Sequence, residues 1–221
     1  WLRENGYKPV TVDQIMAARK GGPELPAKAI LLSFDDGYSS FYTRVLPVLR
    51  AYNWHALLAP VGSWIDTPLN QPVDFAGAPR ARSDFLTWDQ IREISRSGLV
   101  EIAAHTDANH KGILANPQGN LQPAAATRRY DPVTKRYESE ADFQARIRTD
   151  VNNISEKIRK VTGKKPRVWV WPYGAADGTS LTVVGEAGYE MALTLEDGLD
   201  ALDNLMSSPR FLVASDPDGE R

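Results

Sequence analysis

Two short stretches of this sequence carry groups able to hydrolyse an amide or ester. Asp35 and Asp36 stand side by side before Gly37, and His105 and His110 lie within six residues of each other. Two imidazoles and one carboxylate make a facial ligand set for a divalent ion such as zinc, leaving positions open for water and substrate. The other carboxylate is then free to act as general base. Such an ion lowers the pKa of water and polarises a carbonyl. Read singly, Asp-Asp-Gly is also a solvated turn, and the two histidines are also one packed and one exposed side chain. The constellation is what points to chemistry. The spacing of the histidines does not stack them on one helix face, which puts them in a loop.

A third stretch, Trp171-Pro172-Tyr173-Gly174, follows an apolar run. Its backbone N–H groups could face the same pocket and stabilise an oxyanion. Read alone, it is a Pro-Gly turn with aromatic packing. Of six tryptophans, Trp64 and Trp171 fall in loops after predicted strands, where an indole face could stack on a sugar ring.

The elements that must position these groups alternate along the chain. Val10 to Arg19 predicts a short helix capped by Thr11. Ala29 to Phe34 is an apolar run that suits a buried parallel strand. Tyr38 to Tyr52 predicts a helix with Pro47 as a possible kink. Trp54 to Ala59 is a second strand, and Val61 to Asp84 an excursion rich in Pro, Gly and Asp. Thr87 and Gln90 form a capping box for a helix ending near Ser97, and Leu99 to Ala104 is a third strand. About 34 residues without periodicity follow, from Thr106 to Ser139, a length usually reserved for functional or mobile loops. Glu140 to Val161 has the strongest helical stripe, Phe143, Ile147, Val151, Ile154, Ile158 and Val161, with Gly163 as the stop. Val168 to Trp171, Tyr189 to Leu195 and Arg210 to Val213 predict strands, and Thr179 to Ala187 a helix.

This order predicts an α/β fold with a mainly parallel sheet and outer helices. The notable polar residues, Asp197 among them, all follow strand ends, where such folds bind ligands. With 221 residues and 42% hydrophobic composition, the chain suits one domain with a sizeable core. A net charge of -2 with scattered Lys and Arg gives no nucleic-acid footprint. The lack of cysteine excludes disulfides and thiolate metal sites. No apolar stretch reaches the roughly 20 residues of a transmembrane helix. The abrupt start at Trp1-Leu2-Arg3-Glu4 reads as the end of a helix, so a fragment of a longer protein is expected.

The motifs resemble the polysaccharide deacetylases of carbohydrate esterase family 4, the NodB-homology domain. Ser33-Phe34-Asp35-Asp36-Gly37 is similar to the family's first motif, in which the first Asp is the catalytic base and the second binds the metal. His105-Thr106 opens something like the second motif, with the second histidine, His110, one residue later than usual. Pro166 through Gly174 resembles the third motif, whose Tyr amide helps hold the oxyanion. Its Arg aligns with Val170, and Arg167 and Arg210 are the possible stand-ins for that partner of the base. Leu195-Glu196-Asp197 occupies the place of the fourth motif.

These features, with Gly6-Tyr7-Lys8-Pro9-Val10-Thr11, are similar to the poly-β-1,6-N-acetyl-D-glucosamine N-deacetylases of bacterial biofilm export systems. The resemblance covers nearly the whole chain, 1–221, as one deacetylase domain. It implies a distorted (β/α) barrel, here incomplete for want of an N-terminal strand. It implies a metal site of Asp36, His105 and His110 that would accept zinc, nickel, cobalt or iron, with Asp35 as base and Tyr173 at the oxyanion. It also implies an N-acetylglucosamine polysaccharide substrate, a periplasmic or cell-surface location and an outer-membrane export porin as partner. In relatives an upstream histidine serves as general acid and a glycoside-hydrolase-like domain follows, so both are expected outside this chain. Deacetylation of peptidoglycan or chitin, or a carbohydrate-binding module with a degenerate site, are the other readings.

Overall fold

The computed structural model describes residues 1–213. Its helices are α1 (Val12–Arg19), α2 (Leu46–Tyr52), α3 (Gly62–Asp66), α4 (Trp88–Arg96), α5 (Glu140–Thr162) and α6 (Gly178–Glu186). Four start on sequence-local caps that satisfy the first free N–H groups. Thr11 and Thr87 form capping boxes with Gln14 and Gln90, and Ser139 accepts from the N–H of Asp142 at 3.1 Å. Asp177 does the same for α6, which begins before the Thr179 predicted. α5 buries Phe143, Ile147, Val151, Ile154 and Ile158. Each such side chain contributes about 1.5–3 kcal/mol by leaving water. Packing of this stripe, more than propensity, holds so long a helix.

The principal strands pair in parallel, as the strand-helix alternation requires. Leu32–Asp36 runs beside Ala56–Pro60, with Leu32 opposite Ala56 and Asp36 opposite Pro60. Ala56–Pro60 also pairs with Val100–Ile102. A bridge from Ala104 to Trp169 leads to Val168–Val170, which pairs with Met191–Leu193. A last parallel bridge joins Leu193 to Ser208. Among the described residues no ladder joins Ser208 back to Leu32–Asp36.

Ala56–Pro60, Val168–Val170 and Met191–Leu193 are buried on both faces, and alternate strand residues separate two cores. Leu57, Ala59, Ala103, Val168, Val170, Met191 and Leu193 pack together with Val10, Val12 and Leu205. Leu58, Ile102, Ala104, Trp169 and Ala192 face the other way, against the stripes of α4, α5 and α6. Both cores hold the strands in register, and register places the strand ends that carry the polar groups.

Several predicted elements differ in detail. The run Ala29 to Phe34 divides at Leu31, because Ala29–Ile30 pairs with Lys8–Pro9 instead of Ala56–Pro60. Pro47 does not kink a long helix. It sits in the first turn of α2, where its missing N–H costs nothing, after a π-helical turn at Phe41–Val45. The excursion after Val61 contains α3 and a hairpin of Val73–Phe75 with Ala78–Arg80. Arg210 to Val213 forms no strand, and the sixth strand shrinks to the single bridge at Ser208. The aperiodic stretch after Thr106 folds into two small hairpins, Gly112–Leu114 with Leu121–Pro123 and Tyr130–Asp131 with Arg136–Tyr137. Arg146 of α5 ties that stretch down. It donates to the carbonyls of Ala124 and Thr127 at 2.8 and 2.9 Å and pairs with Glu138.

Candidate metal centre and active site

The carboxyl ends of the parallel strands converge, as expected for ligand binding in this architecture. Asp35 and Asp36 end the Leu32–Asp36 strand. His105 follows Ala104, and Trp171 to Gly174 follow Val168–Val170. Adjacent strand residues point to opposite sides, and the two aspartates use that. Asp36 turns toward the histidines from a left-handed backbone at φ 72°. Gly37, also at positive φ, completes the turn so close to Pro60 that a Cβ would press on it. Asp35 turns instead to Arg210.

One ligand atom each from Asp36, His105 and His110 lies within 4.8 Å of the others. The Nε2 atoms of His105 and His110 stand 3.5 and 3.4 Å from Asp36 Oδ1. His105 is fully oriented: its Nδ1–H donates to the carbonyl of Val170 at 2.8 Å, which leaves the Nε2 lone pair for a ligand. Asp36 Oδ1 is buried without a hydrogen-bond partner. A buried oxygen facing two ring nitrogens is costly unless positive charge sits between them. The electrostatics state the same demand. Burial opposes charge on His105, yet Asp36 and Asp35 outweigh it and raise its pKa. Burial and the neighbouring His105 push His110 down to about 4, so it stays neutral and able to coordinate. The donor set fits a divalent cation, and these three residues can hold one.

Asp35 is fixed by the stand-in arginine. Arg210 donates to both Asp35 carboxylate oxygens at 2.9 Å, to Ser33 Oγ at 3.1 Å and to the Thr194 carbonyl at 2.8 Å. Its side chain is 12% exposed, so this fork is little screened. Burial works against the Asp35 charge, but His105 and Arg210 overcome it and hold the carboxyl below its usual value. The depressed pKa adds stability that is complete above the ordinary carboxylate value and is lost as pH falls through the lowered one. Arg210→Ala is therefore expected to move the acid limb of the kcat/KM profile to higher pH. A pH–rate series checks this, and an unmoved limb would remove Arg210 from the control of Asp35.

Arg167, the other stand-in, sits at the opposite ends of the strands and pairs with Glu101 and Asp13. His55, the third histidine, lines a cavity at that far end with Glu101 and Arg167. Asp197 is exposed and is not among the residues gathered at the ligands.

Tyr173 does lie at the site. Its ring stands 4.6 Å from that of His110, its backbone is left-handed at φ 58°, and it is 43% exposed. The tryptophans do not offer a sugar platform. Trp171 is 0% exposed and packs edge-on against Trp169. Trp64 is 5% exposed, with its ring 4.7 Å from His110. It packs behind His110, and both indoles are buried. The aromatic side chains with surface near His110 are the exposed Tyr173 and the partly buried Phe75, which packs against Tyr38.

From the sequence, Thr106 was legible only as the neighbour of His105 in the second motif, and Asp150 was not singled out. Thr106 is fully buried at φ 71°, and its hydroxyl donates to Asp150 of α5. Burial raises the Asp150 pKa, against hydrogen bonds from Thr106, Ala108 and Asp107. A signal existed: Asp150 lies three residues after Ile147 and four before Ile154, so a carboxylate interrupts the apolar face of α5.

The parallel strands bring two carboxylates and two histidines together at one end of the sheet, in a cluster that could hold a metal ion, and comparison with known proteins gives the family. Residues 22–192 match the polysaccharide deacetylase family, and the chain belongs to it. It is 48% identical over 217 residues to the poly-β-1,6-N-acetyl-D-glucosamine N-deacetylase of Escherichia coli K12, covering 98% of this chain and 32% of that protein. The chain thus spans about a third of the length of the curated relatives it matches first. The BpsB deacetylase domain from Bordetella bronchiseptica superposes with a TM-score of 0.91 at 43% identity, over 95% of this chain and 80% of that one. A de-N-acetylase from Aggregatibacter actinomycetemcomitans gives 0.89 at 41% identity, over 96% and 80%.

Proposed function

We propose that this chain is the deacetylase unit of a metal-dependent N-deacetylase that hydrolyses acetamido groups of poly-β-1,6-N-acetyl-D-glucosamine. The observation that carries it is the Asp36–His105–His110 cluster beside a carboxylate, Asp35, held ionised by Arg210. The high identity to the E. coli enzyme supports the β-1,6-linked substrate. The parallel ladders and the likeness to the BpsB domain support a distorted (β/α) barrel over the described residues. Among the described residues no helix is long and apolar enough to cross a membrane. The resemblance extends the proposal to a periplasmic or cell-surface location in biofilm formation, with an outer-membrane export porin as neighbour.

Asp36, His105 and His110 would hold the ion, with zinc, nickel, cobalt and iron all compatible with two imidazoles and a carboxylate. When bound, it would supply Lewis acidity toward water and the acetamide carbonyl. Asp35 takes the proton of the attacking water, and Arg210 keeps it unprotonated and correctly turned for that step. The Tyr173 backbone N–H donates to the oxyanion of the tetrahedral intermediate. The Tyr173 ring, exposed next to His110, borders the bound sugar.

Acetate release from β-1,6-linked N-acetylglucosamine oligomers, from β-1,4-linked ones and from peptidoglycan glycan tests the reading. The β-1,6 oligomer is expected to be the best substrate. Faster release from β-1,4 oligomers would favour a chitin or peptidoglycan deacetylase. No release from any, with metal bound, would leave a carbohydrate-binding module.

A further inference from the structure

The two histidine ligands are separated by a segment with no regular structure, yet their rings meet one carboxylate oxygen. One buried side chain gathers the hydrogen-bond donors of the residues between them. Asp150, 7% exposed on α5, accepts from the Thr106 hydroxyl and from the Asp107 N–H at 2.9 Å through one oxygen. Its other oxygen accepts from the Ala108 N–H at 2.7 Å. Thr106 Oγ1 in turn accepts from the Asn109 N–H at 3.0 Å. Every residue from Thr106 to Asn109 is therefore bonded to Asp150 directly or through Thr106. An ionised carboxylate offers only acceptors, on two oxygens, which is what these converging donors require.

We propose that Asp150 is a positioning residue for the metal centre, fixing the Thr106–Asn109 turn so that His105 and His110 converge before an ion arrives. The inference rests on the metal-site reading above. The Gly62 and Ser63 N–H groups hold the Thr106 and Asp107 carbonyls at 3.1 and 2.7 Å. The donors on the inner side of the turn converge instead on Asp150, so loss of this clamp loosens the left-handed backbone at Thr106 and the placement of His110 opposite Asp36. Ligand supports of this kind typically change metal affinity by about 10–100-fold. Asp150 sits behind the turn on the α5 side and acts only through the residues it holds.

Asp150→Asn tests this with little change of shape. Its amide NH₂ faces a donor where an oxygen accepted. Cobalt(II) binding is followed by competition with a chelator and by the visible ligand-field spectrum. A role confined to packing would lower thermal stability but leave that spectrum alone. The expected result is an affinity about 10–100-fold weaker and an altered spectrum, with an unchanged far-UV circular dichroism signal. If Asp150→Asn does not fold, Thr106→Val and Thr106→Ser replace it. Serine is expected to keep the affinity, and valine, which has the shape without the hydroxyl, to lose about tenfold. Unaltered affinity and spectrum in a folded Asp150→Asn or Thr106→Val chain would overturn the clamp and leave the metal site standing. No cobalt binding by the unsubstituted chain would overturn both.

Discussion

Asp35→Asn is expected to keep a full equivalent of bound metal and to lower kcat/KM by about 10²–10⁴-fold, the usual contribution of a positioned general base. Asp35 is not one of the three clustered ligands, so its loss leaves Asp36, His105 and His110 in place. What it removes is the only group in the Arg210 fork that can take a proton. An amide keeps one acceptor for Arg210 but places an NH₂ against the other guanidinium nitrogen. Hydrogen bonds to charged groups contribute about 1.5–3 kcal/mol each, so a modest loss of stability accompanies the loss of activity. Metal analysis and steady-state kinetics on the same sample check the prediction. Full activity in a metal-loaded Asp35→Asn protein would end the assignment of Asp35 as base.

His110→Ala and Asp36→Ala are expected to fail at the earlier step, retaining no stoichiometric metal and no measurable activity. His110 is the more informative of the two, because its offset from His105 departs from the wider family pattern. A ligand that binds only the native state raises the unfolding temperature in proportion to its affinity. The unsubstituted chain should therefore melt higher with added divalent ion, and the two variants should show no such shift. Asp36→Ala also deletes the buried oxygen that has no hydrogen-bond partner. The variant leaves the Nε2 atoms of His105 and His110 without the carboxylate they face, so a loss of stability accompanies the loss of binding. Stoichiometric metal in purified His110→Ala would show that the second imidazole is not a ligand. The ion would then have to be held by Asp36 and His105 with outside donors.

Both predictions depend on residues that are visible in the sequence. Asp35, Asp36, His105 and His110 were legible because side-chain type limits chemistry, and because the aspartates and His105 follow apolar runs recognisable as buried strands, with His110 five residues on. The caps at Thr11 and Thr87, the α5 stripe and its end at Gly163 were legible for a related reason. Helical periodicity and capping are set by neighbours a few residues away. Strand limits were harder. The division at Leu31 and the reduction of the last strand to Ser208 depend on which partner strand is alongside, and no local pattern encodes that.

The sequence alone determined which groups are available: two acids, two imidazoles, a helix and strand order that sends them to one end of a parallel sheet. The tertiary structure decided what each of them does. Asp35 meets its arginine across 175 residues of chain, and spacing gave no way to choose Arg210 over Arg167. Trp64 and Trp171 looked available to sugars until the packing of α3 and of the Val168–Val170 strand buried them. Asp150 became meaningful only when α5 brought it under the histidine turn. The physical reason is the same in each case. Residue identity and local hydrogen bonding are read along the chain, but charge pairing, desolvation and exposure depend on neighbours that only folding supplies.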